Sequence, residues 1–313
     1  MRPSEQPSSA LHGILLKVVS VAVFVGMSTF IKAAGQLPAG QIVFFRSFFA
    51  TLPVLVFLAW HRELRTGFRT KRPFSHIARG LFGVTGMGMG FFALTRLPLP
   101  EAITLNYAQP LLVVVFGALF LGETIRVYRW SAVAVGLVGV IIVSWPKLSL
   151  LRSPGMLGDE ELMGVIAALA GATVSALTML FVRSLVQTEK TATIVLWFSL
   201  SASAAGLLTI PFGWAQLSAA QFTLLVGAGL CGGIGQILMT EAYRYADVST
   251  VAPFEYTSLI LGLVIGYAVF GDIPTVQMLS GGAIVVAAGI FIIWREQQLG
   301  LKRGAARRVA PPH

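Results

Sequence analysis

The chain of 313 residues is 56% hydrophobic and 12% charged, with a formal net charge of +10 and a mean hydropathy of +0.80. Soluble domains carry about 25% charged residues, so a soluble fold of this composition has no polar surface to cover its core, and that class is excluded. The basic excess does not make a nucleic-acid face either, because most Lys and Arg residues sit in short segments between apolar runs, the distribution that orients membrane spans.

A bilayer core of roughly 30 Å takes about 20 apolar residues in a helix. Ten segments meet that length: residues 11 to 32, 40 to 60, 74 to 95, 101 to 121, 127 to 145, 162 to 182, 192 to 212, 221 to 243, 249 to 270 and 276 to 294. The first is too long for a signal-peptide core and is read as a retained helix 1. Only the N-terminal arm, a linker at 146–161 and a basic tail after Arg295 are left as candidates for mobile segments. Cys231 is the single cysteine, which excludes an internal disulfide and a cysteine metal cluster. The four histidines have no metal-ligand spacing, so no metal is expected.

Sidedness follows from the basic residues. The loop after helix 2 holds Arg62, Arg65, Arg69, Lys71 and Arg72, with Arg79 just beyond, and the tail holds Arg295, Lys302, Arg303, Arg307 and Arg308. With both termini in the cytoplasm, 17 basic residues collect inside and only Lys32, Arg96, Lys147 and Arg152 outside.

The two halves match without gaps over long stretches. At a spacing of 149, Gly80, Gly83 and Gly86 fall on Gly229, Gly232 and Gly235; Tyr107 falls on Tyr256, Gly117 on Gly266 and Gly122 on Gly271. At 151, Lys32 falls on Arg183. Five helices per copy is an odd number, so the second copy enters the membrane from the opposite face. The expected fold is therefore an all-α membrane protein of ten transmembrane helices in two inverted five-helix repeats, residues 1–145 and 162–295, with a cytoplasmic tail at 296–313.

Gly227 to Gly232 spells a dinucleotide-binding pattern, but no strand precedes it. Its glycines are read as helix contacts, and Gly83, Gly86, Gly232 and Gly235 are the packing candidates. No Walker A sequence occurs, so ATP hydrolysis is unsupported.

Polar residues at membrane depth are costly unless they face a partner or a cavity. Lys17 lies six residues into helix 1, roughly 9 Å deep at 1.5 Å per residue, and Glu255 in helix 9 lies at a comparable depth on the same side. Lys17 either pairs with Glu255 or snorkels to the headgroups. Arg46 in helix 2 contacts substrate or clamps a neighbouring loop. Asn106, the repeat mate of Glu255, lies in helix 4 with Tyr107 and Gln109. Glu241 is one turn from Arg244 in helix 8 and can pair with it. Pro110 and Pro253 are expected to free backbone carbonyls near the centre. Phe91, Phe92, Tyr107, Trp197, Tyr243 and Tyr256 could stack on a planar ligand or serve as ordinary packing.

Ala93-Leu94 to Leu105, Gln109-Pro110, Leu121-Gly122-Glu123 and the Gly136/Gly139 helix resemble the EamA-type, ten-helix members of the drug/metabolite transporter superfamily over roughly residues 11 to 295. The second half departs, with Leu259 where Pro110 maps and Asp272 in place of the usual Glu. Phe44-Phe45-Arg46, Arg72-Pro73-Phe74-Ser75-His76 and Arg79-Gly80 resemble the bacterial subgroup of riboflavin importers and S-adenosylmethionine uptake carriers. The resemblance implies a central cavity lined mainly by helices 1, 3, 4, 6, 8 and 9, with helices 5 and 10 peripheral.

The function expected is a secondary transporter of a small organic metabolite in the bacterial inner membrane, riboflavin first, with S-adenosylmethionine or amino-acid transport, in either direction, as the alternative. A membrane-embedded enzyme would show a nucleophile or acid/base pair with a cofactor motif, and none is visible. The substrate and the lipid bilayer are the expected partners, a homodimer is an optional assembly, and neither nucleic acid nor a cofactor is expected. The residues expected to bind substrate or couple its movement are Lys17, Arg46, Asn106, Tyr107, Gln109, Glu241, Glu255 and Tyr256.

Overall fold

The computed structural model describes residues 7–68, 70, 72–121, 127–148, 160–186, 189, 191–245 and 251–309. Among these, all regular structure is helical. The ten spans are α1 Pro7–Ala33, α2 Ala39–Trp60, α3 Pro73–Leu94, α4 in two pieces (Leu99–Asn106 and Ala108–Leu121), α5 Val127–Leu148, α6 Glu160–Val186, α7 Thr191–Leu207, α8 Ala219–Tyr245, α9 (a 3-10 turn Ala252–Tyr256 continuing as Thr257–Phe270) and α10 Val276–Val309. Seven of the helices are long and apolar enough to cross a membrane, and three shorter apolar helices, Trp130–Trp145, Ala192–Leu207 and Phe254–Phe270, complete the set. Large apolar side chains such as Val56, Leu81, Leu119, Ile260 and Val264 point outward. In hydrocarbon that arrangement costs nothing, because each helix satisfies its own backbone.

Helix pairing has a consistent pattern. Helix α1 packs along α8 and α3 along α6; α2 packs on both α7 and α8, α3 on α7, α4 on α6, α9 on α1, and α5 on α10. Exchanging the first five helices for the last five turns α1/α8 into α6/α3, α2/α8 into α7/α3 and α4/α6 into α9/α1. Glycines set the closeness of several of these pairs. A Cβ on Gly139 of α5 would stand 2.8 Å from the carbonyl oxygen of Gly281 of α10, a distance real Cβ atoms do not reach.

Two features depart from the sequence reading. Helix α10 does not stop near Arg295 but runs on through Val309, since residues 296–309 contain no proline and are rich in Gln, Leu, Arg and Ala, which favour helix. Arg79, counted above with the cytoplasmic loop charges, lies inside α3, six residues past its first residue Pro73.

At the distal end of the bundle, where α1 finishes, the elements are tied by polar contacts. Gly271, at φ 69°, ends α9 in a left-handed cap, a conformation glycine adopts without strain. The turn delivers Asp272, whose Oδ2 accepts the N–H of Leu99 at 2.9 Å and lies 3.2 Å from Lys32 Nζ. Lys32 Nζ also donates to the Leu97 carbonyl at 2.7 Å. The carboxylate thus caps the N-terminus of α4 while holding α1 to it. Nearby, Gln41 bonds both the carbonyl and the N–H of Ala215, at 3.0 and 3.1 Å.

Candidate functional site

Helices α4 and α9 are each interrupted at a tyrosine, Tyr107 and Tyr256, where a pure helix period would have carried on. The prolines explain the position. Pro110 is the third residue of the resumed helix Ala108–Leu121, in the first turn, where a missing N–H leaves no helical acceptor unpaired. Pro253 stands likewise in the opening turn Ala252–Tyr256. Each break therefore falls before or after its proline rather than at it.

The two tyrosines meet edge to face, ring centroids 5.1 Å apart at 64°. The Tyr107 hydroxyl bonds to Ser258 Oγ, and Ser258 Oγ donates to the Glu255 carbonyl at 2.7 Å. A carbonyl near the α9 break is thus satisfied by protein rather than lipid. Ser258 stands 149 residues after Gln109, so both breaks carry a polar residue at this position.

Beside the α4 break lies a cavity of about 260 Å³. Its wall is built by Met27 and Ser28 of α1, Gly86, Met87, Gly90, Phe91, Ala93 and Leu94 of α3, Ala102, Ile103, Asn106 and Gln109 of α4, and Ala168 and Ser175 of α6. Asn106 and Gln109 stand on either side of the break at Tyr107 and both reach this wall, so two amides and two hydroxyls line an otherwise apolar chamber. That mixture suits an organic solute with a few hydrogen-bonding groups. Helices 1, 3, 4 and 6 line this cavity as the resemblance implied, whereas α8 and α9 contribute no residue to this wall.

At the α9 break the chemistry differs. Lys17, only 1% exposed, turns its ammonium inward to Glu255 Oε2 in an ion pair that joins α1 to α9. The snorkelling alternative for Lys17 does not describe this geometry. Glu255 is about half exposed, so the pair sits at the boundary of the packed core, close to the proximal end where α1 begins. At that same end His12 packs edge-on against Tyr245 at 4.7 Å.

A third group of polar side chains lies between α2, α3, α7 and α8. Arg46 is 9% exposed, and its Nε has no hydrogen-bond partner among the described residues. Its Nε and the Met27 sulfur both come within 3.1 Å of where a Cβ on Gly232 would stand. Arg79 lays its guanidinium over the Phe198 ring, 4.3 Å from the centroid, and its Nε and Nη1 are buried without partners. One turn before it, His76 stacks on Trp197 at 5.7 Å. Among the described residues no loop accepts a bond from Arg46 Nε.

The remaining candidates are placed as follows. Gly83 meets Phe198, Gly86 meets Ser175 of α6, and Gly235 meets Phe24 of α1. Glu241 is half-buried near the end of α8; the side chain of Arg244, its expected partner, lies outside the described residues, as does that of Tyr243. Arg79, Ser175 and Ser258 escaped the sequence reading. For Arg79 the depth argument applied to Lys17 was sufficient, since both lie about six residues into a span.

The EamA-like transporter family model matches residues 11–145 and 162–295. The chain belongs to the EamA-like transporter family. It is 28% identical over 299 residues to an S-adenosylmethionine uptake transporter of Rickettsia bellii (strain RML369-C), covering 95% of this chain and 97% of that one. It is 29% identical over 297 residues to a riboflavin transporter of Rhizobium johnstonii (strain DSM 114642 / LMG 32736 / 3841), covering 94% of each. A crystal structure at 19% identity, covering 94% of this chain and 99% of the other with a TM-score of 0.64, shares the fold. This EamA-like chain is accordingly a multi-pass protein of the bacterial inner membrane and a small-molecule secondary transporter, not an enzyme.

Proposed function

We propose that the chain carries a small organic metabolite across the inner membrane by alternating access, with residues 1–145 and 162–295 acting as inverted five-helix repeats and both termini in the cytoplasm. The exchange pattern of the helix pairs and the basic asymmetry of the loops support this arrangement. The observation that carries the reading is the pairing of a half-polar cavity at the α4 break with an ion pair at the α9 break. In this arrangement Asn106 and Gln109 hold the solute, and Lys17–Glu255 is the cytoplasmic gate, closed while the pair is made and released when substrate binding offsets its loss.

The substrate is of the S-adenosylmethionine or amino-acid kind rather than riboflavin. The relative matched over 95% of this chain, whose name gives S-adenosylmethionine as its substrate, supports that choice, and the riboflavin-transporting relative makes riboflavin the competitor to test. In proteoliposomes, labelled S-adenosylmethionine should accumulate and be displaced by the unlabelled compound more effectively than by riboflavin. Saturable uptake of riboflavin with no uptake of S-adenosylmethionine would reverse the assignment.

A further inference from the structure

Two arginines from different helices, Arg46 of α2 and Arg79 of α3, bring buried guanidinium nitrogens into the interior of a membrane bundle without a hydrogen-bond partner. No carboxylate among the described residues pairs with either, and the two cations are near enough for their like charges to act on each other. Burying one unpaired cation is costly, and burying two together is more so. A fold bears that cost where the charges serve a ligand, and the surroundings point to one. Phe198 covers a face of the Arg79 guanidinium, which leaves its in-plane N–H edge for an acceptor. Trp197, next to Phe198 on α7, holds a further buried indole N–H with no partner.

The position of this group ties it to the cavity. Arg79, Gly83, Gly86 and Gly90 recur at helical spacing along one stripe of α3, and the last two line the cavity wall. Arg46 approaches from the other side, where its Nε and the sulfur of Met27, another wall residue, converge on Gly232. We propose that Arg46 and Arg79, with the Trp197 indole N–H, form the seat for the carboxylate of the substrate, whose remainder occupies the neighbouring cavity. The proposal rests on the carrier reading above and narrows its substrate class to metabolites bearing a carboxylate. A guanidinium pair offers a planar, two-toothed donor set that matches such a group. Riboflavin has no carboxylate to place there, whereas S-adenosylmethionine does.

Decarboxylated S-adenosylmethionine, which differs by the loss of that one group, provides the test. With the purified full-length protein, S-adenosylmethionine should raise the melting temperature and the decarboxylated analogue should bind at least tenfold more weakly. In R46Q and R79Q that tenfold preference should collapse. Ligand-free R46M and R79M should melt at or above the wild-type temperature, because they remove an unpaired buried charge, whereas an arginine that merely held helices together would lower it on removal. Equal binding of the two compounds by the wild type overturns the seat, as does a preference that survives in both glutamine variants. Stabilisation by inorganic phosphate equal to that by S-adenosylmethionine also overturns it, since the site would then serve a free anion. If neither adenosyl compound binds while riboflavin is transported, the carrier reading stands and the carboxylate seat falls. If proteoliposomes take up none of these solutes and none shifts the melting temperature, both fall.

Discussion

The breaks in α4 and α9 share a plan but not a chemistry. Each interrupts its helix at a tyrosine, the two rings pack on each other, and each break carries a polar residue one position before its tyrosine. On α4 that residue is Asn106, a neutral amide in a cavity wall; on α9 it is Glu255, ion-paired to Lys17. The two breaks thus share a backbone form, and a single side-chain difference puts a neutral amide in the cavity wall at one and a charged contact between α1 and α9 at the other. A neutral amide exchanges protein for water bonds at little net cost, whereas breaking an ion pair needs a compensating partner.

The largest expected effect comes from unbalancing the charged side. Glu255→Gln leaves the buried Lys17 ammonium with a weaker acceptor, a loss of roughly 1–3 kcal/mol once the half-exposure of Glu255 is allowed for. Transport should fall about tenfold or more while the protein still inserts, and Lys17→Met added to it should restore part of the rate. An unchanged rate would reduce Glu255 to a structural polar group.

Next in size are the glycines that let the helices approach. Gly83→Leu would drive a side chain into Phe198, 2.8 Å from where a Cβ would stand, and Gly232→Leu into Arg46 and Met27. Overpacking of this kind costs about 1–3 kcal/mol, so both should lose most transport even where expression persists. Gly26→Ala, whose Cβ would meet nothing within 4 Å, is the contrast. It should be neutral to transport and raise stability by up to about 1 kcal/mol.

On the neutral side, Asn106→Ala should weaken apparent substrate affinity several-fold, the loss of about one hydrogen bond, with little change in maximal rate. A tenfold fall in maximal rate there would erase the distinction between the two breaks. The smallest effect is expected from cysteines introduced as reporters at Arg69 and Gln216, which should barely alter transport yet label from opposite faces of sealed vesicles.

Much of this was legible in the sequence because membrane physics is restrictive. Ten apolar runs give ten spans, and the equal depth of Lys17 and Glu255 from one side was enough to nominate them as partners. The tyrosine pair lay open in the 149-residue spacing. What escaped was local. Arg79 stands next to five loop cations and was counted with them, although its depth in the span matches that of Lys17; its packing against Phe198 shows where the side chain goes. Pro110 was expected to free a backbone carbonyl, but not to end the helix at Asn106 and restart it at Ala108, a position that the spacing alone does not give. Which helices wall the cavity depends on three-dimensional contacts between α1, α3, α4 and α6 that no spacing along the chain encodes.

In the proposed cycle the proximal contact between α1 and α9 opens and closes with every turnover. Replacing Lys17 and Glu255 together with cysteine in a Cys231→Ala background, then joining them with a short bifunctional thiol reagent in proteoliposomes, tests it directly. Uptake should be measurable before cross-linking, fall in proportion to the cross-linked fraction, and recover when a cleavable linker is reduced. Full uptake by completely cross-linked protein would contradict that cycle.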